Sequence, residues 1–366
     1  MRKERQINYE LLRIIAMLMI ITLHYLSKGG ALTDPKEPFS ATGYAAWIIE
    51  AFCLVAVNVY VLISGYFGTD TGKADKKLFS IQKPVKIWLR VLFYSATIGI
   101  IAMLTGIQNF DIYTVFTYIF PTVMEHYWFA TSYLLLCLFM PFLNAGLDRL
   151  DKKEFKRILL LMFLVFSLAK SCLPMHLPWD KLGYDVLWFV FLYLTGGYLK
   201  KYGMERIAGV KALIIYVLCA CITIFSMLFI RKLYLDKGML GDFINYAYSY
   251  NHVFTYFGAI GLFGAFKNVM SGITAENCKT GIKKKICHII AYISPATFGV
   301  YLIHEHINLR YLWPQWFNCK AAAELPAGLF LLHLIGTVIA VYSVCTLTDI
   351  IVSRVELGVK SSFRKS

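Results

Sequence analysis

The segment of residues 9–27 is apolar and long enough to cross a lipid bilayer as one helix, since about 20 residues span roughly 30 Å. It nevertheless carries Glu10, Arg13 and His24. Arg13 and His24 are separated by three helical turns to within roughly 20°, so both fall on one stripe about 16 Å apart. Glu10 lies one turn before Arg13 on nearly the same stripe. Because polar groups inside a membrane usually face a protein interior or a wet cavity, the stripe predicts the lining of a reaction site.

A second interpretation of the same segment stays open. Arg13 would extend its guanidinium to one membrane interface, and His24 would lie in the headgroup region of the other. The alignment of the two residues favours the reaction site, because independent interfacial residues have no reason to share a stripe.

The composition extends the membrane interpretation to the whole chain. Of the 366 residues, 58% are hydrophobic and only 16% are charged, whereas a soluble protein carries about 25% charged residues. Apolar runs separated by short polar loops predict an all-α fold, a polytopic membrane helix bundle with about ten transmembrane helices. The predicted spans are residues 9–27, 45–67, 87–105, 127–147, 157–174, 185–199, 210–230, 251–267, 289–308 and 326–352.

The basic residues give this bundle an orientation. In the ten-span arrangement 26 of the 37 Lys and Arg residues fall on one side and nine on the other. The basic side is normally cytoplasmic, so we expect both termini in the cytoplasm and the protein in the cell membrane. This topology also explains the net charge of +15 without nucleic acid as a partner. The loops are too short for a soluble domain, so residues 1–366 are expected to form one transmembrane domain.

The end of the second run and the segment after it form a candidate anion site. Ser64, Gly65 and Tyr66 end the run, and a simple helix C-cap is the alternative interpretation there. Three of the basic residues that follow have the i, i+3, i+7 spacing of one helical face, which suits phosphate groups. An ordinary cytoplasmic loop against anionic lipid would carry the same charges. The basic residues are Lys73, Lys76, Lys77, Lys83, Lys86 and Arg90.

Two further segments are candidates for a second binding region. His126, Tyr127 and Trp128 open the fourth run, either as an interfacial aromatic belt or as a polar and aromatic rim for a sugar-like ligand. Near the end of the chain, His304 and Glu305 are candidates for a polar cavity on the same side. His304 and His306 are two residues apart and point in different directions on a helix, so we predict no metal site.

Taken in order, these segments resemble membrane-bound acyltransferase family 3, the multi-pass enzymes that O-acetylate bacterial surface polysaccharides. One departure concerns Lys83 and Lys86, which stand where the family often has two arginines at the same spacing. The resemblance rests on Arg13 and His24 with ten residues between them, on Ser64-Gly65-Tyr66, on the basic residues within 73–90, on Tyr127-Trp128-Phe129 and on residues 298–304.

The resemblance implies a reaction and a role for each candidate. The protein would be an O-acyltransferase that moves an acetyl or similar acyl group from cytosolic acetyl-CoA, a co-substrate rather than a bound cofactor, to a glycan or lipid-linked saccharide. His24 would be the catalytic base or a transient acyl carrier, and Arg13 would be the second catalytic residue on the same stripe. The donor would be held by Arg13, Ser64, Tyr66, Lys83, Lys86 and Arg90. The acceptor would be held by His126, Tyr127, Trp128, His304 and Glu305.

Two functions without acyl transfer remain open at this level. The chain could be a transporter or exporter of a glycan or an amino acid, or a structural component of a polysaccharide assembly complex. The spans show no pair of broken helices in matching halves, which is mildly unfavourable to transport.

Overall fold

A computed structural model describes residues 5–69, 81–124, 126–173, 175, 177–204, 207–269, 273–274 and 281–363. The side chains are described up to Glu356. Lys73, Lys76 and Lys77 of the predicted anion site lie outside the described residues.

The described part of the chain is helical, and its one β-type pairing is an isolated bridge between Gln6 and Thr274. A π-helical turn lies at Leu164–Leu168, and 3-10 turns lie at Gly241–Phe243 and Ser294–Ala296. The α-helices are α1 (Ile7–Lys28), α2 (Ala41–Cys53), α3 (Ala56–Gly68), α4 (Gln82–Leu104), α5 (Ile112–Ile119), α6 (Trp128–Leu147), α7 (Lys152–Phe163), α8 (Ala169–Cys172), α9 (Val186–Tyr202), α10 (Val210–Lys237), α11 (Val253–Asn268), α12 (Gly281–Ile293), α13 (Thr297–His304), α14 (Leu312–Trp316), α15 (Cys319–Ala322) and α16 (Ala327–Phe363).

Seven helical segments among the described residues are long and apolar enough to cross a membrane. Each overlaps a predicted span, which supports a multi-pass helical bundle. The predicted count of ten and the sides of the two termini stay predictions. The seven segments are Ile7–Lys28, Ala41–Gly68, Gln82–Leu104, Trp128–Leu147, Val210–Lys237, Gly281–His304 and Ala327–Glu356.

The three other predicted spans also form helices, but these are less suited to crossing a bilayer. The run at 185–199 is α9 with 17 residues, and the run at 251–267 is α11 with 16 residues. The run at 157–174 is divided between α7, the π-helical turn and α8. Its helical stretch begins with a strongly charged turn, Lys152-Lys153-Glu154.

The first helix occupies the centre of the bundle. α1 packs against α2, α3, α11, α12, α13 and α16. Its apolar side chains, among them Leu12, Ile21 and Leu26, are buried. Glu10 lies in its first turn and Lys28 in its last, the arrangement of charges that complements the helix dipole. The stripe that carries Arg13 and His24 is therefore surrounded by protein.

Gly65 is required for close packing between α3 and α9. A Cβ atom at Gly65 would lie 2.1 Å from the carbonyl oxygen of Tyr193, and one at Gly196 would lie 2.4 Å from that of Leu62. Small residues allow two helix backbones to approach in this way. Gly65 lies inside α3, which continues to Gly68, so the helix does not end at Ser64-Gly65-Tyr66. The C-cap interpretation of this sequence is therefore wrong.

Candidate functional site

A cavity of about 250 Å³ runs along the stripe that the spacing of α1 predicts. Arg13, Met17, Ile20 and His24 line it, at successive intervals of four, three and four residues. The opposite walls come from α3, α6 and the segment around α13. Their lining residues include Tyr60, Ser64, Trp128, Phe129, Tyr133, Thr297 and Tyr301. The cavity therefore connects Arg13 and His24 of the first span.

Arg13 is held at one end of the cavity by a buried carboxylate. Its guanidinium donates to Glu10 Oε1 at 2.7 Å, and Ser294 Oγ donates to Glu10 Oε2 at 2.5 Å. The Tyr60 hydroxyl donates to the Arg13 carbonyl oxygen at 2.6 Å, which joins α3 to α1. Glu10 uses one of the five guanidinium donors. The others can therefore meet an anionic ligand in the cavity.

His24 lies at the other end, paired with a second histidine. Its Nδ1 is 3.0 Å from His304 Nε2, and His304 Nδ1 is 2.6 Å from the Val300 carbonyl oxygen. A carbonyl oxygen only accepts, so His304 Nδ1 carries the proton and neutral His304 accepts at Nε2. His24 Nδ1 must then donate to it. The lone pair of neutral His24 is thereby fixed on Nε2, the tautomer that suits a general base.

Glu305 provides a negative charge beside this histidine pair. Its side chain is 3% exposed, and its Oε2 lies 3.2 Å from His24 Nδ1. Oε1 pairs with Lys28 and, at 3.5 Å, with Arg310. Oε2 makes no hydrogen bond to any described residue. It can therefore stabilise a positive charge on His24 by proximity while His304 takes the Nδ1 proton.

The same three side chains resemble a set of metal ligands. One ligand atom from each of His24, His304 and Glu305 lies within 4.8 Å of the others, and two histidines with a carboxylate is a common zinc donor set. Lys28 and Arg310 both pair with the Glu305 carboxylate, and their two positive charges would repel a divalent cation at this position. The absence of a metal stays a prediction.

The predicted donor-site residues separate in the structure. Ser64 lines the cavity, and its Oγ is 3.0 Å from the Tyr133 hydroxyl. Lys83 Nζ lies 5.9 Å from the centre of the Tyr133 ring, close to this pair. Lys86 is exposed. Tyr66 packs instead in an aromatic cluster with Tyr9, Phe67 and Phe263.

Arg90 is held by a partner that the sequence did not suggest. Its guanidinium makes two hydrogen bonds to the Asp349 carboxylate, at 2.5 and 2.7 Å, and the Tyr94 hydroxyl donates to the same carboxylate at 2.6 Å. Asp349 is buried on α16 and lies against Gly299, where a Cβ atom would be 1.8 Å from Oδ1. Arg90 thus joins α4 to α16.

Of the predicted rim, Trp128 alone lines the cavity. His126 and Tyr127 are buried. His126 Nε2 accepts from the Ile307 backbone N–H at 2.8 Å, and the Tyr127 hydroxyl donates to the Leu302 carbonyl oxygen at 2.8 Å. Burial, together with the charges of His306 and Arg310, lowers the pKa of His126 to about 2. These contacts attach the start of α6 to α13.

Sequence reasoning missed several residues of the site. Lys28 follows His24 by one turn of α1, so the helical spacing could have identified it. Tyr60, Tyr133 and Ser294 carried no local signal, because their contacts with the α1 site depend on helices that are distant in the sequence.

A family model for an acyltransferase domain, that of acyltransferase family 3, matches residues 6–348. Comparisons with curated proteins and with solved structures gave no significant match.

Proposed function

Because the chain belongs to acyltransferase family 3, we propose that it transfers an acetyl or similar acyl group from cytosolic acyl-CoA to a hydroxyl of a cell-surface or lipid-linked polysaccharide. The observation that carries this proposal is the cavity, which joins Arg13 to a histidine in the tautomer of a base. The family and the membrane-like bundle support a membrane acyltransferase.

The donor enters at the Arg13 end. The phosphates of CoA are anions, and the guanidinium keeps donors for them after pairing with Glu10. Lys83, near Ser64 and Tyr133, adds a positive charge at this end. The acyl arm extends along the stripe toward His24, about 16 Å away along the helix. Arg90 has a smaller part in this scheme, because Asp349 already binds its guanidinium.

The chemistry takes place at His24. Its Nε2 accepts the proton of the acceptor hydroxyl while the hydroxyl oxygen attacks the acyl carbonyl carbon. The tetrahedral intermediate collapses by breaking the carbon–sulfur bond, and the proton passes from Nε2 to the leaving thiolate of CoA. His304 holds His24 in the required tautomer, and Glu305 stabilises the transient imidazolium. In the alternative route, His24 attacks the acyl carbon first and carries the acyl group to the acceptor.

Radiolabelled acetyl-CoA tests the reaction. Inverted membrane vesicles that contain the protein are given [14C]acetyl-CoA, and label in the carbohydrate fraction is compared with vesicles that lack the protein. We expect protein-dependent label that persists when ionophores collapse the ion gradients, since acyl transfer requires a donor and no gradient. Equal label in vesicles with and without the protein would support the transporter instead. Absence of label with acetyl-CoA and with succinyl-CoA would refute the proposal.

A further inference from the structure

Tyr301 carries a buried hydroxyl group that the proposed mechanism does not use. Tyr301 lines the cavity and is 4% exposed. Its Oη makes no hydrogen bond to any described residue. A buried hydroxyl without a partner is costly, so this one indicates a place where a ligand completes the hydrogen bond.

Other hydroxyl groups of the cavity wall already donate to protein acceptors. Ser64 Oγ donates to the Tyr60 carbonyl oxygen at 3.0 Å, so it can only accept from the Tyr133 hydroxyl, also at 3.0 Å. Among the described lining residues, Tyr301 is the one whose buried hydroxyl has no partner. The wall hydroxyls that donate to the protein belong to Tyr60, Ser64, Tyr133, Ser294 and Thr297.

Tyr301 lies at the same end of the cavity as the proposed base. It precedes His304 on α13 by three residues, about one helical turn, and the centres of the two rings are 6.3 Å apart. The ring centre of His304 is in turn 5.1 Å from that of His24. His24 and Tyr301 both line the cavity. A ligand group at this end can therefore meet a base and a hydroxyl donor together.

The beginning of α6 lies against Tyr301. Phe129 is the second residue of α6, and its ring centre is 5.6 Å from that of Tyr301. Trp128 and Phe129 both line the cavity. The first N–H groups of a helix have no partner within the helix, and this terminus carries a partial positive charge. The helix therefore adds to the preference of this end of the cavity for a negatively charged atom.

We infer that the Tyr301 hydroxyl donates to the carbonyl oxygen of the acyl group and stabilises the negative charge that forms there during transfer. The inference rests on the proposed function. When the acceptor oxygen bonds to the carbonyl carbon, the π electron pair moves to the carbonyl oxygen and the acceptor proton passes to His24 Nε2. Tyr301 keeps its proton and donates more strongly to this oxyanion than to the neutral carbonyl. The electron pair returns when the carbon–sulfur bond breaks and the thiolate takes the proton from Nε2.

The acceptor hydroxyl is a less suitable partner for Tyr301. It donates its proton to His24, and a hydrogen bond from Tyr301 to the same oxygen would withdraw electron density from the nucleophile. The carbonyl oxygen only accepts, and it gains charge as the reaction proceeds. If His24 carries the acyl group, the same oxyanion forms, so the role of Tyr301 holds for both routes.

Tyr301→Phe removes the hydroxyl and keeps the ring. Initial rates with [14C]acetyl-CoA, measured with full-length protein in nanodiscs, should show kcat falling about 100-fold and KM for acyl-CoA changing less than about twofold. The melting temperature should not fall, because the hydroxyl has no partner among the described residues. Tyr342→Phe is the matched control and should keep the wild-type kcat. The Tyr342 hydroxyl is also buried without a described partner, but Tyr342 does not line the cavity.

A non-reactive donor tests the contact without acyl transfer. The probe is an acetyl-CoA analogue in which a methylene group replaces the sulfur and the carbonyl carbon is labelled with 13C. A hydrogen bond polarises the carbonyl group and moves its 13C resonance downfield. In solid-state NMR of nanodisc protein, we expect the bound resonance of wild type and of Tyr342→Phe to lie downfield of that in Tyr301→Phe.

The inference is overturned by a wild-type kcat in Tyr301→Phe, by a loss confined to KM, or by the same carbonyl resonance in Tyr301→Phe and wild type. A lost kcat with a lower melting temperature would assign Tyr301 a structural role and would also overturn it. If the resonance depends on Tyr301 but wild type transfers no label, the contact stands and the proposed reaction fails. If wild type transfers label and neither kcat nor the resonance depends on Tyr301, the reaction stands and the inference fails.

Discussion

Replacing His304 by leucine tests whether this residue holds His24 in its basic tautomer. His304 accepts the Nδ1 proton of His24 at 3.0 Å and is itself fixed by the Val300 carbonyl oxygen. Leucine removes the acceptor nitrogen and fills a comparable volume with an apolar side chain. The donor end of the cavity, which contains Arg13, should be unaffected.

The expected size of the effect follows from the remaining contacts. Losing one buried neutral hydrogen bond costs about 1 to 2 kcal/mol, and that loss falls on the orientation of the base. Glu305 Oε2 lies 3.2 Å from His24 Nδ1 and can take over part of the role. We therefore expect kcat for acyl transfer to fall about 5- to 30-fold, with KM for acyl-CoA unchanged.

Initial rates over a range of acyl-CoA concentrations, measured with protein in nanodiscs, give both constants. His304→Gln retains an acceptor and should recover most of kcat, so a purely structural role can be distinguished. His288→Leu, the same change at an exposed position of α12, is the control and should behave as wild type. An equal loss in His304→Leu and His304→Gln, or a loss confined to KM, would refute the role given to His304.

Three further predictions concern the supports of the site. Asp349→Asn should lower the free energy of unfolding by about 1 to 3 kcal/mol, a moderate loss because the Arg90 side chain is 35% exposed. The KM for acyl-CoA should not change. A raised KM with intact stability would show that Arg90 binds the donor. Gly299→Ala should lower the melting temperature, because the added Cβ atom meets the Asp349 side chain. Gly328→Ala should not, because no atom lies near the position of its Cβ atom. Equal melting temperatures for the two variants would contradict this packing. The folded-state pKa of His126 is about 2. As pH falls below about 6.5, His126 therefore binds a proton in the unfolded chain before it does so in the folded protein. The contribution of His126 to the free energy of unfolding should then fall by at most about 1.4 kcal/mol per pH unit. His126→Gln should show a correspondingly shallower pH dependence in thermal unfolding, and an unchanged slope would refute the assignment.

The sequence alone was sufficient for features that depend on local periodicity. Arg13 and His24 share a face because their spacing is close to a whole number of helical turns. The cavity follows that face. Among the described residues, seven apolar runs coincide with helices long enough to span a bilayer, because apolar length is read directly from the sequence.

Features that depend on contacts between distant segments could not be predicted in this way. The partner of His24 lies 280 positions later, and the partner of Arg90 lies 259 positions later. The basic spacing of Lys83, Lys86 and Arg90 suggested one anion site, but Asp349 binds one of the three. The position of His126 in the sequence suggested an interfacial aromatic belt. In the structure His126 is buried and accepts a hydrogen bond from the Ile307 backbone N–H, just after α13. Local patterns identify polar residues without showing which of them meet.

Acyl transfer by His24→Ala directly tests whether His24 is the base of the reaction. Nanodisc protein is given [14C]acetyl-CoA and an acceptor glycan extract, and the rate is compared with that of wild type and of the control His288→Leu. We expect wild type and the control to transfer label at the same rate. The rate of His24→Ala should fall at least about 100-fold, the contribution of a positioned general base. Equal rates for His24→Ala and wild type would show that His24 is not the base and would favour an interfacial role for this residue.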